Sequence, residues 1–471
     1  MRDTPSVKPD AAGSTPYFDF MLTAEGAALK ELVADVAAIL ETRSERQRAR
    51  KATDAANFLR GVDALVSNLV ASVLERDGGP TSLSLNKNHR QWRGWRYNSH
   101  GIKCDSFLAS VVAANGEFLS LTKSTLHGVA STIEPAQAFV AEVRARGIAL
   151  SDLGVRREAE LIAFTQKQRK ENAWRWDDQT ETVFVDYRDT RFTIAARAQM
   201  QALKEHIAAA SIEFMDDGEH PRVDTKRRDL QRRFIVPPRI EGKALRTNPF
   251  GHQLEGGRMA GNACWLTLRK DRRRASLRID GEPIAEVDFN AMFPRLACAK
   301  AEHPARSNGG SAQSGEASDF YAPIEAAILK RAPWGHPEGL RGGVKQAVSA
   351  LLFMPTLRRW PDAIRKRLPK GFSVAEMREA VAEVYPALWH HIDAASGPEK
   401  RAIGYRLMRI ESDIIVRACL ELAAQGITAL PIHDAVLVAR SKAMIAAGVL
   451  ERVAEEVAGV VVPVSVWAGE A

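Results

Sequence analysis

Two aspartates stand where a chain usually buries carbon. Asp288 closes the apolar run "PIAEVDF", and Asp434 lies inside "ALPIHDAVLVAR", Ala429 to Arg440, which reads as a strand buried on both faces. A lone carboxylate in such a place shifts its pKa, finds a partner or holds a metal. Like charges brought close together need a cation between them, and Mg²⁺ takes one or two carboxylates together with waters and substrate phosphate. Two such ions about 3.5 to 4 Å apart clamp the attacking and leaving oxygens of an in-line phosphoryl displacement. The pair therefore points to nucleotidyl transfer, provided that its two strands are neighbours in one antiparallel sheet. A second constellation lies between them, in "LRGGVKQAVSALLF", where Arg341, Lys345, Ser349 and Phe353 recur every four residues. On a helix they form one stripe with two cations at its first turns, suited to a triphosphate: Arg supplies a fork and Lys a point charge.

These residues need elements to carry them. Asp280-Gly281 is a strong hairpin signal, and in the strand after it Ile284, Glu286 and Asp288 share one face while Ala285, Val287 and Phe289 share the other. Glu286 is expected to pair with a neighbouring Arg. If the Asp434 strand is regular, His433 points away from Asp434 and supports primer or sheet. Helices are expected over 319–332, 339–353, 374–392, 402–425 and 442–457, with a last strand in "VVVPVSVWAG".

The 471 residues suggest about two to four domains. Cys104, Cys264, Cys298 and Cys419 form no CxxC pair, which argues against a disulfide framework or a structural zinc site and fits a reducing cytoplasm. No run is long and apolar enough for a membrane span, and the polar start lacks the core of a secretory signal. A net charge of +8 and a pI near 9.3 make nucleic acid a plausible partner, with basic clusters at 226–233, 269–274 and 357–370. Residues 1–22 read as a disordered tail. Residues 23–150 read as a nucleic-acid-binding module of two helices, an aromatic and basic patch (Trp92, Arg93, Trp95, Arg96), and a helix at 104–114 that turns at Asn115-Gly116 into a strand. That last succession has the look of a winged helix. Residues 151–230 read as mainly helical around "TVFVDY", with no acid cluster of the proofreading kind.

Taken in order, "DFNAMFPR", "RGGVK…SALLF" and "IHDAV" resemble motifs A, B and C of family A nucleic-acid polymerases. This family includes bacterial DNA polymerase I and the phage-type single-subunit RNA polymerases. Asp288 and Arg295 match motif A, Arg341, Lys345 and Phe353 match motif B, and His433 and Asp434 match motif C as a pair in a hairpin. Arg258, in "LEGGRMAG", matches the Gly-Arg segment that lines primer and template. The resemblance covers about Leu230 to Ala471.

It implies an α+β fold with a right-hand core: an antiparallel palm sheet, helical fingers and a helical thumb. The palm would lie in 231–300 and 401–471, the fingers in 301–400 with a flexible insertion at 302–318, and the thumb in 151–230. Asp288, Asp434 and the backbone carbonyl of Phe289 would hold two Mg²⁺ ions, for which Mn²⁺ could substitute. Arg341, Lys345, Phe353 and Phe293 would bind the nucleotide; Arg258, Arg295, His433 and the Trp/Arg patch would bind nucleic acid. The implied activity is template-directed DNA synthesis without proofreading, by a monomer acting on primed DNA and dNTPs in a bacterial, plasmid or phage setting. The chain departs from the family pattern at Phe293, where DNA polymerases usually carry Glu, and at Ser349, Phe353-Met354 and Ala435. An RNA polymerase or primase on the same fold, a catalytically inactive DNA-binding replication protein and a metal-dependent nuclease remain the competing readings.

Overall fold

At Asp280 and Gly281 the backbone turns with φ of 53° and 76°, joining Leu277–Ile279 to Glu282–Phe289. A short polar side chain and a glycine are the residues that tolerate two consecutive positive φ angles. The computed structural model describes residues 15–44, 48–87, 97, 101–125, 129–156, 160–169, 180–236, 255–302, 319–332, 337–354, 357–394 and 403–469. These form two compact units, Met1–Glu160 with Phe214–Arg228, and Leu161–Glu213 with Asp229–Ala471. The chain is thus a mixed α+β protein whose sheets are largely antiparallel.

In the second unit, Glu282–Phe289 lies inside a six-stranded sheet. It pairs antiparallel with Ala435–Ala439 on one side and with Val464–Trp467 on the other. Ile284, Ala285 and Val287 are completely buried, and the helix Ala443–Ala458 packs over the sheet. The expected single strand over 429–440 is instead a hairpin of Leu430–Ile432 and Ala435–Ala439. His433, with φ of 53°, supplies the turn, so the alternation expected of a regular strand does not apply to His433 and Asp434. The helix expected over 374–392 is two, Val374–Val384 and Pro386–Ala394. Pro386 has no N–H to continue the first helix and disfavours helical backbone at Tyr385 before it.

A second sheet runs in the order Glu255–Ala260, Gln231–Ile235, Ile162–Arg169, Thr180–Phe184, with the middle pair parallel. Arg232 is buried there, donating from Nε to the Gly257 carbonyl (3.1 Å) and the Ser412 hydroxyl (2.9 Å). Its ion pair with Asp413 ties this sheet to the long helix Ile403–Ala424. The helical stretch expected over 151–230 is therefore corrected: among the described residues it holds strands at 153–155, 162–169, 180–184 and 212–214 with one α-helix, Arg191–Ala209, and it is divided between the two units. Polar strands such as "TQKQR" and "QRRFI" lack the apolar alternation by which a strand is read.

In the first unit, Leu22–Ala24 pairs with Leu153–Val155, and Ser131–Pro135 lies between Thr81–Leu83 and Leu119–Thr122. Helices Ala27–Arg43, Ala52–Arg76, Cys104–Ala114 and Gln137–Ala145 surround a core that includes Leu29, Leu65, Phe107 and Ile133. Phe18, Phe20 and Leu22 belong to that core, so the expected disordered tail cannot extend to residue 22; three apolar side chains anchor its end. All four cysteines are free, and among the described residues no helix is long and apolar enough to cross a membrane.

Candidate functional site

Strand register brings the two aspartates together. Asp288 faces Ala435 across the paired strands, and the Phe289 N–H approaches the Asp434 carbonyl at 3.4 Å. On its other side Asp288 faces Ser465, whose hydroxyl donates to the Asp288 carbonyl at 3.3 Å. Asp288 is thus held from both edges, while Asp434 rides on the tight turn beyond Ile432. The Asp288 Oδ1 atom is buried and accepts no hydrogen bond among the described residues. Burial first, then the negative charges of Asp434 and Glu286, push the Asp288 carboxyl up to about 7, against the pull of Lys270 and Lys345.

No cluster of three or more His, Cys, Asp or Glu is arranged around a metal position among the described residues. Magnesium asks for less, since waters and phosphate oxygens complete its shell. An orphaned, buried carboxylate oxygen beside a second carboxylate fits that requirement, because a bound cation would satisfy it.

Glu286, on the same strand face, is saturated. It is buried and receives Arg274 Nε at 2.9 Å and Lys270 Nζ at 3.0 Å, with Arg273 at 3.9 Å. Burial pushes its carboxyl up, but the Arg274 and Lys270 hydrogen bonds prevail and leave it below the usual range. The pairing expected for Glu286 is present.

Beyond Asp288 the chain passes through Asn290 and Ala291, the latter at φ 53°, into the helix Met292–Glu302. Asn290 and Ala291 line a cavity of about 220 Å³ closed by Arg295, Asp319, Phe320, Tyr321, Arg341 and Lys345. Arg295 donates from Nε to the Asn290 carbonyl at 3.1 Å, and its guanidinium lies 5.6 Å from the Phe320 ring. Arg341 is held by Asp319 and Glu325, so its charge is partly spent inside the protein. Lys345 is exposed and makes no ion pair among the described residues. Both cations lie over Tyr321, at 5.0 and 5.7 Å from its ring. Burial, then the charge of Asp434, pushes the Tyr321 hydroxyl up to about 12, so it stays a neutral donor at physiological pH.

Three rings form an aromatic wall in the same unit. Phe293 meets Phe353 edge-on at 5.7 Å, and Phe353 meets Tyr405 edge-on at 5.4 Å. Arg258 lies 5.2 Å over the Phe293 ring and donates two hydrogen bonds of 2.7 Å to Glu411. Burial pushes the Glu411 carboxyl up to about 7 despite Arg258, with Asp434 and Asp288 adding to the rise. His433 is exposed at the turn, but partial desolvation of its ring, then the nearby charge of Arg258, hold it below the usual imidazole range.

Asp288, Asp434, Phe289, Phe293, Arg295, Arg341, Lys345, Phe353, Arg258 and His433 therefore all lie in the second unit. Trp92, Arg93, Trp95 and Arg96 lie outside the described residues, as do 303–318 of the expected insertion. Sequence reading missed Tyr321 and Glu411. Tyr321 follows the segment taken as an insertion, and Glu411 is separated from Arg258 by 153 positions; the one available signal was an acid on the apolar face of a long helix. No protein-family model matches this sequence, and no curated protein matches it.

Proposed function

We propose that this protein is a template-directed DNA polymerase of the family A kind, which joins a deoxynucleotide to a primer 3′-OH and releases pyrophosphate. The observation that carries the reading is the buried Asp288 Oδ1, unpartnered among the described residues and beside Asp434, two residues before a cation-lined cavity begins at Asn290. Asp288 and Asp434 would hold two Mg²⁺ ions, with Mn²⁺ as a substitute. When bound, these ions activate the 3′-oxygen and offset charge on the transferring phosphate.

The remaining work falls to the chain. Lys345 meets the triphosphate as an uncommitted point charge, while Arg341 braces the Asp319–Tyr321 side of the cavity and adds its field. Phe353 offers ring surface to the base, and Phe293 stands five residues after Asp288 where a bulky ring excludes a ribose 2′-OH. Arg258, Arg295 and His433 face the primer and template.

In this reading the Asp288 sheet is the palm and the helices from Ala322 to Ala394 are the fingers. The first unit, with Cys104–Ala114 leading into a hairpin, is a winged-helix-like grip on DNA. Primer extension on a defined template, run with dNTPs and with rNTPs and with and without primer, tests the proposal. Wild-type protein extends the primer with dNTPs, and Asp434→Asn binds the DNA without extending it. Extension retained by Asp434→Asn would overturn the assignment; preferential use of rNTPs would move it to an RNA polymerase or primase on the same fold.

A further inference from the structure

Glu411 is an acid placed where acids are costly. Its side chain is completely buried on Ile403–Ala424, and both its oxygens are occupied by the Arg258 fork, from Nε and Nη2 at 2.7 Å each. Well-packed apolar side chains usually serve stability as well as a buried ion pair does, so the fork's directional hold on Arg258 is the more informative property. The guanidinium so oriented lies over Phe293, and Phe293 leans on Phe353. The same helix secures the far end of that wall: Tyr405 meets Phe353, and a Cβ at Gly404 would come within 2.6 Å of the Phe353 ring. Gly404 and Glu411 are two helical turns apart, so one rigid helix holds both ends of an aromatic surface. The charges of Asp434 and Asp288 both act on Glu411, and that of Asp434 acts on Arg258 as well.

We infer that Glu411 is a positioning residue that acts through Arg258 to fix Phe293 as the surface against which the sugar of the incoming nucleotide is read. The inference rests on the polymerase reading above. A free phenyl ring on the first turns of a helix can swing between rotamers, whereas one covered by a clamped guanidinium and abutting a second ring cannot do so without breaking contacts. Discrimination against one hydroxyl is a matter of sub-ångström placement, so loss of the clamp is felt as loss of selectivity rather than of chemistry.

The test is single-nucleotide incorporation opposite one template base, measured as kcat/KM for the dNTP and its rNTP counterpart. Wild type, Glu411→Gln, Arg258→Lys, Phe293→Ala and the double variant Glu411→Gln/Phe293→Ala are compared, each after a thermal melt. Glu411→Gln, Arg258→Lys and Phe293→Ala each lower the dNTP preference by about tenfold, and the double variant falls no further than Phe293→Ala alone. An unchanged preference, or losses that multiply in the double variant, would overturn the positioning role. If Glu411→Gln fails to fold, Arg258→Lys carries the same comparison, since Lys keeps a positive charge against the buried Glu411 carboxylate while losing the two-pronged fork. Wild-type protein that extends with neither nucleotide overturns the polymerase reading and this inference with it. Extension with an unchanged ratio removes this inference alone.

Discussion

Glu286 and Asp288 leave the same face of one strand two residues apart, and their surroundings are opposite. Glu286 is clamped by Arg274 and Lys270 with Arg273 nearby, and its carboxyl is held below the ordinary range. Asp288 has a buried oxygen with no donor among the described residues, a second carboxylate beside it, and a carboxyl pushed up to about 7. The protein compensates one acid by hydrogen bonds from its own cations, while the other feels Lys270 and Lys345 only at longer range. Burial of an acid is therefore not by itself a sign of function; burial without compensation is the informative state.

Breaking the compensated end gives the largest expected effect on folding. Glu286→Leu, which strands Arg274 and Lys270, lowers the stability of the second unit by about 3 kcal/mol. Denaturant titration measures it, and a loss below about 1 kcal/mol would mean that the cations relax into water. At the other end, Lys345→Ala lowers kcat/KM for the triphosphate by about thirtyfold, and Arg341→Ala lowers it less, because Asp319 and Glu325 already engage Arg341. Equal losses for the two variants would contradict the division of labour between them.

A smaller effect appears in pH dependence. Asp288 and Glu411 both rise to about 7 from ordinary values of 3.8 and 4.5. The folded state thus binds protons that the unfolded chain has released, so stability falls as pH rises through that window in metal-free protein. Asp288→Asn flattens the fall, and Mg²⁺ opposes it in the wild type. Thermal melts across the window check both; stability that climbs with pH would contradict the placement of these acids.

Much of this was legible in the chain because local chemistry set it. Asp280-Gly281 is a strong local turn signal and forms the turn here, and the alternation around Glu286 and Asp288 names their shared face. The turn at His433-Asp434 was hidden because no glycine marks it and apolar runs flank it, so the residues alone read as one strand. Tyr385-Pro386 divided a helix that apolar spacing ran together. Strands such as Gln231–Ile235 escaped because their charge is absorbed by distant partners, as Arg232 is by Asp413. The Arg258–Glu411 fork escaped for the same reason: a contact across most of the unit leaves no periodicity in the sequence.

The most direct measurement sets these two acids of one strand against each other. Asp288→Asn and Glu286→Gln are assayed side by side for magnesium-dependent extension of a primed template and for thermal stability. Asp288→Asn is expected to keep its melting temperature and lose extension, while Glu286→Gln loses stability and keeps extension below its melting point. Extension that survives Asp288→Asn in a folded protein would contradict the account.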